Sequence, residues 1–381
     1  MCSNLREKGV GSVNSTIQAP PSRRSEGPFH SPTAPRTAGL VALLLGALAA
    51  CTGTATTPSI SPSTFSSPAP SASPSPSPSP SPAFPLTLTD DQGTQVSIPA
   101  KPARIVTLSP AATETVFALG EGARVVGKVQ DVADYPPEAH AVPEVATYTG
   151  VDVEKIVALR TDLVLVDTSL TKPDTLQKLR DVGIPVVQLL AANVDGVLGD
   201  ITLIGRAIGA DGQAGDLVAS MRAQIDQISA ATRSLPHPRT FYEIDATKEI
   251  FGPTDASPLV DLITLAGGQP ITTGSTTVAS IPLEKLVAAD PEIIVLGDAA
   301  YGVKAADVAH RPGWSRMTAV RNNAIRPVND IVITRPGPRL VDGLRDLALA
   351  IHPDIVLAAA SPSPSAGEGS PAPSATSSAY P

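Results

Sequence analysis

The side chains that most often carry chemistry are sparse in this sequence and form no recognisable catalytic or metal-binding set. The five histidines are scattered along the chain, at His30, His140, His237, His310 and His352. None has the spacing of a metal-binding motif, and two cysteines are too few for a structural zinc site. Phosphate-loop, dinucleotide-loop and nucleophile-elbow motifs are also missing. The sequence therefore predicts no catalytic residue, no resident cofactor and no metal ligands.

Two acidic pairs, Asp90-Asp91 and Asp131/Asp134, have a spacing that could support general acid–base chemistry. Both fall in segments of turn composition, where paired carboxylates are usually solvated. No nucleophile has a base beside it. An enzyme, such as a hydrolase of envelope polymers, would need an acid and a base in one cleft. A protein that captures a ligand fits these residues better.

The elements that must position any binding residues alternate between strand and helix. A hairpin is predicted over Leu86–Thr89 and Thr94–Ile98, because Asp90-Asp91-Gln92-Gly93 is a turn sequence. Short β-branched runs then alternate with amphipathic helices as far as Ile351. Such runs indicate parallel sheets that are covered by helices on both faces. The predicted fold class is α/β, with two lobes, each a mainly parallel sheet flanked by helices.

One long helix is predicted between the lobes, over Gln213–Ser234, where apolar residues recur at helical spacing. The predicted N-terminal lobe covers 85–211, the linking helix 212–236 and the C-terminal lobe 237–356.

An internal repeat supports two related lobes. Val153–Val166 and Leu283–Leu296 align with each other without gaps, and Glu154 and Glu284 occupy equivalent positions in the alignment. Convergence of two amphipathic helix–strand units is the alternative explanation. If the repeat is real, each lobe carries a Glu-Lys pair at the same point of its own helix.

The N-terminal segment has the character of an export signal. Basic residues precede an apolar stretch from Ala38 to Ala50, which is too short to span a bilayer as a helix but suits a signal peptide. Leu48-Ala49-Ala50-Cys51 resembles a bacterial lipobox, which implies a signal peptide over 1–50 and lipidation of Cys51. A secreted protein with an incidental cysteine is the alternative.

Segments rich in proline and serine flank the predicted lobes. Residues 51–84 contain Pro-Ser repeats that cannot form a packed core and favour an extended spacer. Residues 357–381 have the same composition and are predicted to form a disordered tail. A tether, a spacer and a two-lobed body together predict a protein anchored by lipid on the extracytoplasmic face of the cell membrane.

Composition excludes two classes of function. The chain has 28 Lys and Arg against 36 Asp and Glu, so it lacks the basic surplus of a nucleic-acid-binding protein. The sequence contains no apolar run as long as a transmembrane helix requires, which excludes a protein with several membrane spans.

Several segments together resemble the iron-chelate and cobalamin substrate-binding proteins of ABC importers. The resemblance covers about 84–355 and is carried by five segments, which are Arg104–Glu114, Asp134–Ala139, Val153–Val166, Arg311–Trp314 and Arg335–Leu340. It implies two lobes around a rigid helix, a shallow cleft with limited closure, and partnership with a permease and its ATPase. The expected protein is a monomer that binds a metal chelate and has no catalytic step.

The resemblance also implies roles for individual residues. In the family, one surface glutamate from each lobe meets arginines of the permease, and the matching positions are Glu154 and Glu284. Six residues are expected from their positions to contact the ligand, namely Tyr135, Tyr148, Tyr242, Phe251, Tyr301 and Arg335. Packing in the core is the alternative for each of them. Arg335 is expected to pair with an anionic chelate.

The identity of the ligand stays open between a corrinoid such as cobalamin, a ferric siderophore and, less favoured, haem. Aromatic residues make up only 3% of the chain, which weakens the prediction of an aromatic sandwich around a corrin. Basic residues near the expected cleft are few, which weakens the prediction of a siderophore site. A sensor or adhesion module with the same binding fold is a further alternative.

Overall fold

The computed structural model describes residues 84–133, 135–168 and 171–358, all of which belong to one compact unit, Ser73–Pro381. The predicted signal peptide, Cys51 and most of the predicted spacer and tail lie outside the described residues. None of the helices in these three ranges is long and apolar enough to cross a bilayer.

The N-terminal lobe is built on a six-stranded sheet in the order β6-β5-β4-β3-β7-β8, beside a separate antiparallel hairpin of β1 and β2. Every pairing in the sheet is parallel except that of β5 with β6. Its elements are β1 Leu86–Thr89, β2 Gln95–Ile98, β3 Ile105–Thr107, α1 Pro110–Ala118, β4 Val125–Val129, β5 Glu144–Thr147, β6 Gly150–Val151, α2 Val153–Ala158, β7 Leu163–Asp167, α3 Pro173–Asp181, β8 Val186–Leu189 and α4 Val194–Ile208.

The chain passes between the lobes through α5, Asp211–Thr232. Only one stripe of this long helix is buried, at Ala214, Leu217, Met221, Ile225, Ile228 and Thr232. The recurrence of buried residues at every third or fourth position matches the helical period, so one face packs on the body and the other meets solvent.

The C-terminal lobe is built on a four-stranded parallel sheet in the order β10-β9-β11-β12. Its elements are β9 Arg239–Glu243, α6 Pro258–Leu265, β10 Gln269–Pro270, α7 Leu283–Ala289, β11 Ile293–Leu296, α8 Ala305–Ala309, α9 Thr318–Arg321, β12 Ile325–Pro327, α10 Asp330–Thr334 and α11 Leu340–Ile351. The predicted fold class is therefore confirmed: both lobes are mainly parallel sheets flanked by helices.

The hydrophobic core ties the two lobes together. One face of each sheet packs into a single cluster that contains β7 Leu165, α5 Met221, β9 Tyr242 and α11 Leu344. The opposite faces form two separate clusters, one in each lobe. Because residues of both lobes share one close-packed cluster, a large hinge motion would expose apolar surface that is now buried.

The internal repeat corresponds to matching structures in the two lobes. Strand order β4-β3-β7-β8 in one lobe corresponds to β10-β9-β11-β12 in the other, with α2 feeding β7 as α7 feeds β11. Asp162 and Glu292 occupy equivalent positions of the repeat, and their carboxylates accept hydrogen bonds from the backbone N–H of Arg104 and Arg239.

The guanidinium groups of these two arginines repeat the pattern. Arg104 Nε donates to the carbonyl of Leu159, and Arg239 Nε donates to the carbonyl of Ala289, which is the equivalent position of the repeat. Side-chain contacts that repeat with the backbone favour a true duplication over convergence of two amphipathic units.

Candidate ligand-binding site

A cleft of about 570 Å³ lies between the lobes, at the carboxyl ends of the strands. From the N-terminal lobe, Ser109 after β3, Asp167 at the end of β7 and Leu190 after β8 line it. From the C-terminal lobe, Ile244 after β9 and Asp330 after β12 face them. Loops that follow parallel strands converge at this edge of a sheet, which is why ligands of α/β proteins bind there.

Each lobe presents the start of a helix to the cleft in the same way. Ser109 caps α1 by accepting from the N–H of Ala112, and Pro110 follows it. Ser257 caps α6 by accepting from the N–H of Leu259, and Pro258 follows it. All four Ser and Pro residues line the cleft. Because the serine oxygens are engaged by their own helices, the two caps form rigid, mostly apolar walls.

Exposed apolar side chains are concentrated in the cleft. Half of the ten large hydrophobic residues that are exposed in the described part of the chain line it, namely Val132, Tyr148, Leu190, Ile244 and Tyr301. Tyr148 is 60% exposed and Tyr301 is 71% exposed, one from each lobe. Leaving apolar surface of this kind in water is unfavourable, so its clustering indicates a site that is covered by a ligand.

The charged residues of the cleft are Asp167, Asp330 and Arg335, and Arg335 is the single cation among the described lining residues. Asp330 accepts a hydrogen bond of 2.8 Å from the hydroxyl of Tyr242, and its burial raises the pKa of the carboxyl above the ordinary value. The guanidinium of Arg335 is only 12% exposed, since acidic residues of the other lobe surround it.

Glu114 and Asp131 of the N-terminal lobe join Arg335 and Arg339 of the C-terminal lobe in a buried network of four charges. Glu114 on α1 accepts from Arg335 Nη1 at 2.7 Å and from Arg339 Nε and Nη2 at 2.9 and 2.6 Å. Asp131 accepts from both terminal nitrogens of Arg335, at 2.9 Å from Nη1. Burial opposes ionisation of Asp131, but the bonds from Arg335 outweigh it and hold the pKa of that carboxyl below its usual value.

The same network positions Tyr135. The guanidinium carbon of Arg339 lies 3.7 Å from the centre of the Tyr135 ring, a cation–π contact. Partial burial of the phenol raises the pKa of Tyr135. The tyrosine ring therefore packs on the arginine that bonds to Glu114, and it is not part of the cleft lining.

A second buried cluster of charged residues lies in the C-terminal lobe, at the turn Asp298–Tyr301. Arg311 donates to the fully buried Glu243 at 2.6 Å and stacks on Trp314 at 4.7 Å. Burial raises the pKa of Glu243 to about 7, although the bond from Arg311 works in the opposite direction. Asp298, also buried, is the acidic neighbour of Glu243, and burial raises the pKa of its carboxyl as well.

Of the six residues expected to contact the ligand, the structure places Tyr148, Tyr301 and Arg335 on the cleft surface. Tyr242 is a correction: its side chain is 0% exposed and lies in the shared core, since β9 is a central strand. Phe251 pairs with Asp245 and Ser280 through isolated bridges and, like Tyr135, is not part of the cleft lining.

The role expected for Arg335, pairing with an anionic chelate, stays a prediction, and the structure shows what surrounds this cation. Three of the five N–H donors of its guanidinium are engaged by Glu114 and Asp131, so its positive charge is already balanced inside the protein. A ligand carboxylate that bound there would share this cation with two buried carboxylates.

Sequence reasoning missed the other members of this network. Glu114 ends one of the family-like segments and Arg339 lies near the end of another, so a signal was present, but the pairing of residues so far apart in the chain was not visible. Asp131 was expected to be solvated, and so was Asp90; both side chains are buried and bonded.

Glu154 and Glu284 lie in the first turns of α2 and α7, and both are exposed. A helix that feeds a parallel strand runs antiparallel to it, so its amino end lies at the carboxyl edge of the sheet. Both glutamates are therefore at the edge that bears the cleft, one in each lobe.

No three His, Cys, Asp or Glu side chains converge as a metal-ligand set within the described ranges.

Known proteins resemble this chain in sequence and in fold. Residues 105–330 match the family model described as periplasmic binding protein. The uncharacterised ABC transporter substrate-binding lipoprotein YvrC of Bacillus subtilis is 32% identical over 277 residues, which cover 71% of this chain and 87% of that protein. The cobalamin-binding protein of Halobacterium salinarum is 32% identical over 284 residues, covering 71% and 75%.

A solved structure agrees with these relatives. The haem-binding protein RhuT from Roseiflexus superposes with a TM-score of 0.58 at 26% identity, and the match covers 66% of this chain and 98% of that one.

Proposed function

This chain belongs to the periplasmic binding protein family, and on that premise we propose that it is the substrate-binding subunit of an ABC importer for a corrinoid. Members of the family bind solutes and are not enzymes, so the cleft is a site of capture and release. The observation that carries the proposal is the cleft itself, which is apolar, open to solvent and built from both lobes at the strand ends.

Charge favours a corrinoid over a ferric siderophore or haem. Anionic chelates are held best by arginines with free donors. The one cation that lines the cleft in the described part of the chain is neutralised, and the other charged lining residues are Asp167 and Asp330. A corrinoid with amide side chains carries no surplus of carboxylates. Its flat ring can pack between Tyr148 and Tyr301, one from each lobe.

The relatives point the same way without deciding between ligands. The Halobacterium protein is named for cobalamin, and the Roseiflexus structure is named for haem. Haem is the second candidate because two exposed tyrosines offer hydroxyl groups to an iron atom. Its propionates, however, would need cations that the lining residues do not provide.

Thermal unfolding of the full chain, purified in detergent, tests the ligand. Cyanocobalamin at a hundredfold excess over Kd should stabilise the fold by about 2.7 kcal/mol. Haemin and a ferric hydroxamate siderophore should give smaller shifts. A shift with haemin alone would move the assignment to the second candidate, and no shift with any of the three would overturn it.

Delivery to a permease is supported by Glu154 and Glu284. They are exposed, equivalent in the repeat and located at the cleft-bearing edge of the two sheets. Two fixed acidic groups can orient the loaded protein on a basic surface of the importer. We propose that they pair with permease arginines while the protein acts as a monomer.

Anchorage through Cys51 is supported by the lipobox-like sequence and by the word lipoprotein in the name of the Bacillus relative. We propose that the signal peptide is cleaved before Cys51, that its thiol carries the lipid, and that the protein stays on the extracytoplasmic face of the cell membrane. Cys51→Ser should move the protein from the membrane fraction to the soluble fraction. An unchanged distribution would contradict the anchor.

A further inference from the structure

We infer that Glu114 and Asp131 determine the charge selectivity of the cleft, because they cancel the positive charge of Arg335 and so exclude ligands that carry carboxylates. The inference rests on the proposed function, since it concerns the same cleft. It assigns a role to two N-terminal-lobe carboxylates that do not line the cleft themselves.

The geometry shows that both carboxylates are committed to arginine. The side chain of Glu114 is 1% exposed, and its two oxygens accept three hydrogen bonds from Arg335 and Arg339. The side chain of Asp131 is 5% exposed and takes both terminal nitrogens of Arg335. Two carboxylates therefore meet two guanidinium groups, and the network has no net charge.

The network acts on the ligand through Arg335. This arginine lines the cleft together with Pro336, whereas Glu114, Asp131 and Arg339 do not. A ligand carboxylate that approached it would compete with Glu114 and Asp131 for the charge of one guanidinium, and it would weaken their pairing with that cation. Breaking a buried pair in this way is strongly unfavourable.

The remaining lining charges strengthen the exclusion. Asp167 and Asp330 are both acidic, and they end or follow strands on opposite sides of the cleft. With the charge of Arg335 cancelled, the described lining residues offer no surplus cation to an anionic ligand. Such a cleft accepts neutral or cationic cargo and disfavours anions.

Binding of cyanocobalamin and of its monocarboxylic acids, each with one amide side chain hydrolysed, tests the inference on the full chain. The unchanged protein should bind at least one monocarboxylate roughly tenfold more weakly than the parent. Asp131→Asn leaves Arg335 with surplus positive charge, so this ratio should fall to about threefold or less. The fall should be reversed by high salt, because the new attraction is electrostatic.

Arg335→Gln should act in the opposite direction and increase the discrimination above that of the unchanged protein, which keeps the test decisive if Asp131→Asn fails to fold. Asp216→Asn, an exposed acid of α5, makes the same change in net charge as Asp131→Asn and should leave the ratio unaltered. If neither Asp131→Asn nor Arg335→Gln moves the ratio, the network only joins the lobes and the inference is wrong. If the unchanged protein binds no corrinoid, the proposed function fails and the inference falls with it.

Discussion

The two lobes repeat the same contacts at the amino ends of their strands but bury different acidic residues near the carboxyl ends. Arg104 with Asp162 and Arg239 with Glu292 make the same contacts at the amino ends of the strands. At the carboxyl ends the Ser-Pro helix caps of α1 and α6 still match, but the buried acids of the two lobes differ. The repeated contacts therefore hold the architecture that the lobes share, whereas the buried acids near the strand ends are particular to each lobe.

The buried acidic residues near these strand ends differ between the lobes in their partners and in their pKa values. In the N-terminal lobe, Asp200 on α4 lies against the carboxyls of Asp91 and Asp167, and burial raises its pKa to about 9. In the C-terminal lobe, Glu243 has an arginine partner and a pKa of about 7. An acid without a cation is the more strongly perturbed, as expected when desolvation is not compensated.

The largest expected effect concerns the two acidic positions that the repeat makes equivalent. Glu154→Arg combined with Glu284→Arg should abolish stimulation of the importer ATPase by loaded protein, because both contacts become repulsive. Affinity for cyanocobalamin should stay the same, since neither residue lines the cleft. Each single change should leave partial stimulation. Loss of corrinoid binding in the double variant would show that these glutamates do not serve docking.

The next effect is the pH dependence of stability that the buried Asp200 causes in the N-terminal lobe. Asp200 is protonated in the folded state and ionised in the unfolded state between about pH 4 and pH 9, so the unfolded state binds fewer protons there and stability falls as pH rises. Asp200→Asn removes this pH dependence. Its free energy of unfolding at pH 8 should exceed that of the unchanged protein by on the order of 2 kcal/mol.

Urea unfolding at pH 5 and pH 8 measures the difference, and the gain should be smaller at pH 5. Asp216→Asn, exposed on α5, should be neutral at both values. An Asp200→Asn variant that is equally destabilised at both pH values would contradict a neutral Asp200.

A comparable but smaller effect tests the contacts that the two lobes repeat. Arg104→Ala and Arg239→Ala each remove hydrogen bonds to a carbonyl at the same position of the repeat, so each should lower the free energy of unfolding by about 1.5–3 kcal/mol. Arg326→Ala, which removes a single contact to the carbonyl of Asn323, should cost less than about 1 kcal/mol.

Arg239→Ala should cost somewhat more than Arg104→Ala, since Arg239 also forms ion pairs with Asp290 and Glu292. No loss of stability in either variant would contradict the shared role of these arginines.

The smallest effect concerns the two cleft tyrosines. Tyr148→Leu and Tyr301→Leu should each weaken cyanocobalamin binding about tenfold, because an aromatic contact beyond simple burial is worth about 0.5–1.5 kcal/mol. Both side chains are largely exposed without ligand, so stability should hardly change. If only one variant weakens binding, the ring packs on one lobe alone.

Local pattern predicted most of the fold, because strands and helices of the body have clear periodicity. The helix α5 forms at Asp211–Thr232, slightly before the predicted start at Gln213. Helix α4 was not predicted, since Gly196, Gly199 and Gly205 interrupt it. Gly205 is explained by packing: a Cβ there would lie 2.4 Å from the Cβ of Ala214, so glycine permits close contact between α4 and α5.

The candidate site was predicted less well, for a physical reason. Tyr148 and Tyr301 are in the cleft because they follow strands, a position that sequence can indicate. Tyr242 also belongs to a strand, but its side chain faces the core, and the sequence alone did not show which face is buried. The network of Glu114 and Arg335 depends on tertiary contact between lobes, which no local pattern reports.

Titration calorimetry of the full chain with cyanocobalamin measures whether the cleft binds a corrinoid, with Tyr148→Leu/Tyr301→Leu as the matched variant. One corrinoid should bind per chain, at an affinity that the double variant loses by about a hundredfold. Saturable binding of haemin or of a ferric siderophore, with no heat from cyanocobalamin, would contradict a corrinoid site.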